Sequence, residues 1–269
     1  MPLAVCATPI GNLDDVTLRV LDELRRAGVV LCEDTRRTST LLRRHGVEAR
    51  LVSYHRHNEA SRTAELLPRL LAGEEVALVS DAGLPGINDP GARLVAAALE
   101  AGVPVTVLPG PSAVETALVA SGLGAERYQF LGYLPRGERA LAALWEELGR
   151  WPHAALAFES PKRLPRTLAS LSRALPERPI AVCRELTKRF EEVVRGFPGE
   201  VATRFAEPPK GEITLVIGPG EVAADGAGES EAAAAVAELV GAGVGRRRAA
   251  DVVARLTGVS RNSLYRGSL

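Results

Sequence analysis

Short apolar runs alternate with helix-period segments through the first 120 residues. The runs Leu3–Ala7, Val29–Cys32, Arg50–Tyr54, Val76–Val79 and Pro104–Leu108 have the length and β-branched character of strands. Between them lie amphipathic stretches such as TLRVLDELRRAG, with Leu18, Leu21 and Leu24 on one face and Gly28 just past the end. SRTAELLPRLLAGE ends the same way, and ARLVAAALEAG is a third helical run. Strand–helix alternation predicts a parallel sheet with helices on both faces.

A second α/β segment spans about Tyr128 to Gly218. Its strands are expected at Tyr128–Tyr133, Ala154–Phe158, Ile180–Arg184 and Ile213–Ile217, with a shorter one at Glu192–Val194. Helices are expected at Ala140–Leu148 and Arg163–Leu175, and PGE and PPKGE read as hairpin-like turns of a mixed sheet. The stretch GPGEVAADGAGESEAAAA carries no strand signal and reads as a linker. Short helices follow at Glu231–Val240, Arg247–Leu256 and Arg261–Tyr265. The predicted organisation is an α/β domain over 1–120, a second over 121–220 and a helical module over 230–269.

Composition narrows this picture slightly. Lys plus Arg and Asp plus Glu both total 33, so only local patches can select a charged partner. No apolar run reaches the length of a membrane span, and MPLAVCATPIG lacks the basic start of a signal peptide. Cys6, Cys32 and Cys183 match no metal or redox spacing and read as buried thiols of a reducing cytoplasm. Lysine occurs three times against 30 arginines, which hints at a GC-rich or heat-loving source.

Three strand-to-helix junctions are rich in Gly and Pro: ATPIGNLDDVTL, SDAGLPGINDPG and LPGPSAVET. Each reads as a plain turn with a helix cap or as a ligand loop, and three of them at one sheet edge favour a cleft. Asp81 and Asp89 read first as residues that fix the loop or cap the next helix. Neither GxGxxG nor GxxxxGK[ST] is present, which disfavours dinucleotide and nucleotide-triphosphate sites. Lys162, Lys188 and Lys210 sit in FESPKR, CRELTKRFEE and PPKGEITLVIG, near Arg163, Arg166, Arg184 and Arg189. This suits a phosphate-bearing substrate, with chance clustering as the alternative. His55 and His57 alternate in YHRHNE without a third ligand, so no metal is expected. RRAADVVARLTGVSRNSLYR reads as a small helix-turn-helix or as a plain amphipathic pair, and aromatics, 4% of the chain, are too few for an extended base-stacking platform.

TPIGNLDD, CEDTRRT, SDAGLPGINDPG, LPGPSA, FLGYLPR, FESPKR, RELTKRFEE and KGEITLVIG occur in this order. The set resembles the 16S rRNA cytidine ribose 2′-O-methyltransferases (the RsmI family) of the tetrapyrrole methylase superfamily, over residues 1 to about 218. The basic tail is similar to that family's C-terminal module. Porphyrin-precursor relatives carry a GxGPGD-type first loop, so TPIGNLDD points to the RNA branch. The resemblance implies S-adenosyl-L-methionine held between two α/β domains, a homodimer, and 16S rRNA of the small ribosomal subunit as substrate. By motif position it implies cofactor contacts from Pro9, Ala82, Gly83, Leu84, Ile87, Ser112 and Ala113, and from Glu159, Leu186 and Thr214 across the cleft. It implies RNA contacts from Arg36, Arg37, Lys162, Arg163, Arg184, Lys188, Arg189 and Lys210. Gly267 and Ser268 depart from it, standing where helix-forming residues are expected.

A ribose hydroxyl is a poor nucleophile until its proton is removed or strongly hydrogen-bonded. No His lies in a cleft motif, which leaves Asn12, Asp14 and Glu185 as candidates to orient or deprotonate it. Two other classes remain open: a porphyrinoid methyltransferase of the same fold, and a non-enzymatic nucleic-acid regulator reading DNA with its tail.

Overall fold

The computed structural model describes residues 2–124, 126–220 and 226–267, and divides into two compact units, 1–219 and 220–269. The first unit holds two five-stranded sheets. One is wholly parallel, in the order β3-β2-β4-β1-β5, built from β1 (Leu3–Cys6), β2 (Val29–Cys32), β3 (Leu51–Ser53), β4 (Val76–Val79) and β5 (Val105–Leu108). Strands β1, β2 and β4 are buried along their whole length, which is why they read as unbroken apolar runs.

Successive side chains of β1 point to opposite faces. Ala4 and Cys6 meet α1 (Leu18–Arg26) and α2 (Thr35–Arg44), whereas Leu3 and Val5 meet α3 (Glu59–Leu71) and α4 (Ala92–Glu100). One expectation changes here. Leu18 is exposed, and α1 instead buries Val20, Leu21 and Leu24, because two steps of three residues swing Leu18 and Leu24 about 120° apart. The CEDTRRT motif also opens a helix, with the Asp34 carboxylate accepting from the Arg36 backbone N–H at its N-terminus.

The second sheet is mixed, in the order β6-β7-β10-β8-β9, from β6 (Tyr128–Tyr133), β7 (Ala154–Glu159), β8 (Ile180–Arg184), β9 (Glu192–Gly196) and β10 (Ile213–Ile217). Only β6 and β7 run parallel. One face is covered by α6 (Glu138–Arg150), α7 (Leu164–Ala174) and α8 (Pro198–Arg204). PGE is the first turn of α8, not a hairpin. Pro198 occupies an early helical position that needs no N–H, and the Glu200 carboxylate accepts from the Phe197 N–H. PPKGE likewise leads from α8 into β10, the strand between β7 and β8.

The other face receives α5 (Ala113–Ser121). Its Val114 and Ala117 pack on Leu156, Ala181, Cys183 and Val216 of the second sheet. The expected boundary near residue 120 therefore falls at the end of a helix that follows the first sheet but is buried on the second. All three cysteines are free and buried, and burial pushes the thiols of Cys6 and Cys183 up to about 12.

The second unit is helical: α9 (Gly226–Gly241), α10 (Arg246–Thr257) and α11 (Arg261–Gly267). Ala232, Val236, Ala249, Ala250, Val253 and Leu264 form its core, and Gly258 supplies the left-handed turn after α10. α9 begins earlier than expected. Residues 221–225 of the expected linker and Ser268 lie outside the described residues, while Gly267 ends α11.

Candidate active site

The chain leaves β1 over one face of the sheet toward β2, and crosses the other face between β4 and β5. Such opposed connections open a crevice at the carboxyl ends of the strands. The loops after β1, β4 and β5 occupy that edge. Thr8 and Gly83 exchange backbone hydrogen bonds of 2.8 and 2.9 Å, and the Thr8 hydroxyl donates to the Ser80 carbonyl at 3.0 Å, tying the first two loops together. Asp81 accepts from the Asp34 N–H at 3.0 Å and lies 3.5 Å from the Arg37 guanidinium. It fixes the loop, as expected. Asp89 does not cap α4, whose N-cap is Gly91 and has no side-chain cap.

Across the crevice stands the β8–β9 loop. Glu185 and Thr187 hold left-handed backbone, with φ of 53° and 64°. Gly11 abuts this loop so closely that a Cβ on it would lie 2.8 Å from the Leu186 carbonyl oxygen. Asn12 donates its N–H to the Thr187 hydroxyl at 3.0 Å.

These walls enclose a cavity of about 790 Å³. Ala82, Gly83, Leu84 and Ile87 line it from one loop, Ser112 and Ala113 from the start of α5, and Glu159, Leu186 and Thr214 from the second sheet. Pro9 lines an adjoining cavity of about 330 Å³ together with Arg37, Asp81 and Lys188. Phe130, Tyr133 and Phe158 form an edge-to-face aromatic wall. Glu159 is buried with its carboxylate already engaged: it accepts from the Thr167 hydroxyl and the Ser160 N–H, both at 2.6 Å, with Arg163 at 3.3 Å.

The carboxylates around the crevice differ in their partners. Asp14 is bidentate with Arg44, at 2.9 and 2.8 Å, which holds its carboxyl below the usual range. Glu185 is hydrogen-bonded by Lys188 at 2.8 Å and by the Glu212 N–H at 2.9 Å, and is likewise lowered, chiefly by Lys188. Both are firmly ionised and correspondingly weak bases. The Asn12 side chain accepts from the Asp14 N–H at 3.1 Å. Asp14 and Asn12 line an open groove with Arg44, Lys188 and Arg189, outside the larger cavity.

Asp89 has the opposite environment. It faces the larger cavity, where burial and the negative charge of Glu33 push its carboxyl up to about 6. The Ser80 hydroxyl and Arg56 oppose the shift, and Asp81 adds to it. Sequence alone placed Asp89 as a turn former. The signal it offered was a carboxylate inside a Gly/Pro-rich loop, and the burial that sets it apart is tertiary.

The expected phosphate contacts also separate. Arg163 donates to the Leu134 and Pro135 carbonyls at 3.0 and 2.6 Å, and Arg184 pairs with Glu192 at 2.9 Å, so both brace the second sheet. Lys188 bridges Glu185 and Glu212, at 2.8 and 2.9 Å. Arg36 pairs with Asp34 at 2.8 Å and extends into solvent, and Lys162, Arg189 and Lys210 are exposed. His55 and His57 stack edge-to-face at 5.9 Å, and no group of three metal-ligating side chains exists among the described residues.

A two-sheet fold with this cleft defines the tetrapyrrole methylase class. The family described as Tetrapyrrole (Corrin/Porphyrin) Methylases matches residues 2–202. The uroporphyrin-III-C-methyltransferase of Thermus thermophilus superposes with a TM-score of 0.57 at 23% identity, covering 80% of this chain and 93% of that one. The methyltransferase CobJ superposes with a TM-score of 0.62 at 20% identity, covering 81% and 93%. These likenesses establish the fold. In sequence, the chain is 44% identical over 268 residues to the ribosomal RNA small subunit methyltransferase I of Micromonospora olivasterospora, covering 98% of this chain and 85% of that protein. It is 40% identical to the protein of that name from Thermotoga maritima, over 80% and 97%. The chain belongs to the ribosomal RNA small subunit methyltransferase I (RsmI) family of the tetrapyrrole methylase superfamily.

Proposed function

We propose that this protein is an S-adenosyl-L-methionine-dependent methyltransferase that 2′-O-methylates the ribose of a decoding-centre cytidine in 16S rRNA. The observation that carries this reading is a cleft of about 790 Å³ lined by the Gly/Pro-rich loops, in a chain 44% identical, over 98% of its length, to a protein named for ribosomal RNA methylation.

The residues present fit the cofactor. A cavity of about 790 Å³ is of the size that holds a small organic ligand. Gly83, with φ of 74°, keeps a side chain out of the cavity wall beside the Pro111 carbonyl. Ala82, Gly83, Leu84, Ser112 and Ala113 would hold the cofactor largely through backbone, with Ile87, Leu186 and Thr214 along its sides and Pro9 at the edge. Glu159 supports that wall through Thr167 and Ser160. When bound, S-adenosyl-L-methionine supplies a methyl group activated by its sulfonium.

The protein's own part is to position the ribose, exclude water and take up a proton. Asp89 is the carboxylate best suited to accept the 2′-hydroxyl proton, because it faces the cavity and burial raises it toward neutrality. Asn12, Asp14 and Glu185 lie outside that cavity: Asn12 and Glu185 hold the β1 and β8–β9 loops in register, Asp14 is anchored by Arg44, and together they orient the substrate from the adjoining groove. Arg36, Arg37, Lys162, Lys188, Arg189 and Lys210 supply the phosphate-facing charge, with Arg163 and Arg184 stiffening the wall behind them. A homodimer would widen this basic surface, and the substrate would be the small ribosomal subunit in the cytoplasm. No helix among the described residues is long and apolar enough to cross a membrane.

The test is direct. Small ribosomal subunits and a porphyrinoid acceptor are each incubated with the protein and labelled methyl donor, and ribose methylation is mapped on the rRNA. A 2′-O-methyl group on a decoding-centre cytidine is expected. Label entering the porphyrinoid alone, or neither acceptor, overturns the reading.

A further inference from the structure

We propose that Phe190, backed by Arg189, is a stacking platform for an unpaired nucleobase next to the methylated ribose. The inference rests on the RNA reading above and adds a specificity contact that the basic residues do not supply.

Phe190 is 66% exposed in a chain with five phenylalanines. A solitary exposed aromatic is unremarkable on a mobile loop, but this loop is fastened at every turn. The Glu185 N–H donates to the Glu212 carbonyl at 3.0 Å, the Lys188 N–H to the Glu185 carbonyl at 3.0 Å, and the Glu191 N–H to the Lys188 carbonyl at 3.1 Å. The Thr187 N–H donates to the Glu191 carboxylate at 2.5 Å, and the Thr187 hydroxyl accepts from Asn12 at 3.0 Å. Lys188 clamps two carboxylates, Glu185 of the same loop and Glu212 just before β10. The backbone on both sides of the exposed ring is thus held in place.

Its neighbours select the occupant. The Arg189 guanidinium lies 5.5 Å from the ring centroid and has no ion-pair partner among the described residues, leaving its charge available to a phosphate. Lys188 and Arg189 line the groove that holds Asn12, Asp14 and Arg44, and Lys188 also lines the cavity that contains Asp81 and Ala82. Phe190 follows Arg189, the last of those lining residues, in the chain, and its ring lies against the Arg189 guanidinium. An aromatic face paired with a free guanidinium matches a nucleotide, whose base stacks while its phosphate meets the cation. A purely apolar partner would leave Arg189 desolvated and unpaired.

The experiment uses the full-length protein, labelled donor and small ribosomal subunits lacking the modification, with Phe190→Ala, Phe190→Leu and Phe190→Tyr. Calorimetry with S-adenosylhomocysteine and thermal unfolding accompany the kinetics. Phe190→Ala and Phe190→Leu are expected to raise KM for the subunit about tenfold, with ligand affinity and unfolding unchanged, and Phe190→Tyr is expected to restore KM. Wild-type KM in Phe190→Ala overturns the platform while the RNA reading stands. Rescue by Leu as complete as by Tyr, or a loss of self-association in Phe190→Ala, also overturns it, assigning the ring to apolar packing or to a second copy of this chain. No transfer to rRNA by the unaltered protein overturns the functional reading, and this inference with it.

Discussion

Asn12 and Thr187, 175 positions apart, are joined by one hydrogen bond of 3.0 Å from the Asn12 N–H to the Thr187 hydroxyl. That bond ties the loop after β1 to the β8–β9 loop. It is reachable only because Gly11 has no side chain. A Cβ there would meet Lys188 Cγ at 2.5 Å, Thr187 Oγ1 at 2.6 Å and the Leu186 carbonyl oxygen at 2.8 Å.

Gly11→Ala should therefore cost stability, because the Leu186 carbonyl belongs to a backbone that cannot yield cheaply. The expected loss is about 1–3 kcal/mol, the range for forcing an extra methyl into a filled space. Gly137→Ala is the control, since its Cβ would meet open space and its φ of −78° suits any residue. Denaturant unfolding of the two variants checks the difference; equal midpoints would show that the contact is not tight.

Gly83 tests the opposite wall. Its φ of 74° is costly for a β-branched residue, by about 1–2 kcal/mol, and the branch would enter the cavity lining. Gly83→Val should leave a folded protein with donor affinity reduced at least tenfold, read by calorimetry. Unchanged affinity would place the cofactor elsewhere.

The contrast between Asp89 and the paired carboxylates gives a pH signature. Asp89 keeps its proton up to about 6, so a rate that depends on its ionised form should rise with pH through that value and level off above it. Asp14 and Glu185 are held below the usual range and would contribute no inflection there. Asp89→Asn should abolish the rising limb and lower kcat by a factor on the order of 10² or more, with donor affinity little changed. A wild-type profile flat between pH 5 and 7.5 would remove Asp89 from the proton-transfer role. The same shift runs the other way for stability. A carboxyl raised on folding favours the folded state most at low pH, and that contribution is lost as pH rises through about 6.

Much of the scaffold was legible because its central strands are buried on both faces. VALV and ITLVI announce themselves without any partner in view, and VALV at Val76–Val79 is strand β4 to the residue. The start of α8 was hidden because Pro198 and Gly199 signal a turn as strongly as a helix start. The cofactor loops could be named from their Gly/Pro content and their resemblance. Their closure could not, since Gly11 and Thr187 meet only through tertiary packing. The same holds for charge: Arg163 and Arg189 read alike in sequence, yet one is spent on two carbonyls and the other is exposed.

That distinction separates Lys188 from Arg189. Sequence alone groups them together as RNA contacts. In the structure Lys188 neutralises Glu185 and Glu212 at the cleft wall, and Lys188→Ala would leave two carboxylates facing each other near Gly211. It should disturb the donor site as well as the RNA site. Arg189→Ala removes an exposed charge and its contact with the Phe190 ring. It should leave donor affinity untouched, weaken RNA binding, and reduce by about 1 the slope of log affinity against log salt. Titrations of both variants over a range of salt, paired with donor calorimetry, read the difference. An unchanged slope for Arg189→Ala would exclude a phosphate contact at this residue, and a donor site unaffected by Lys188→Ala would show that the two carboxylates tolerate each other without their cation.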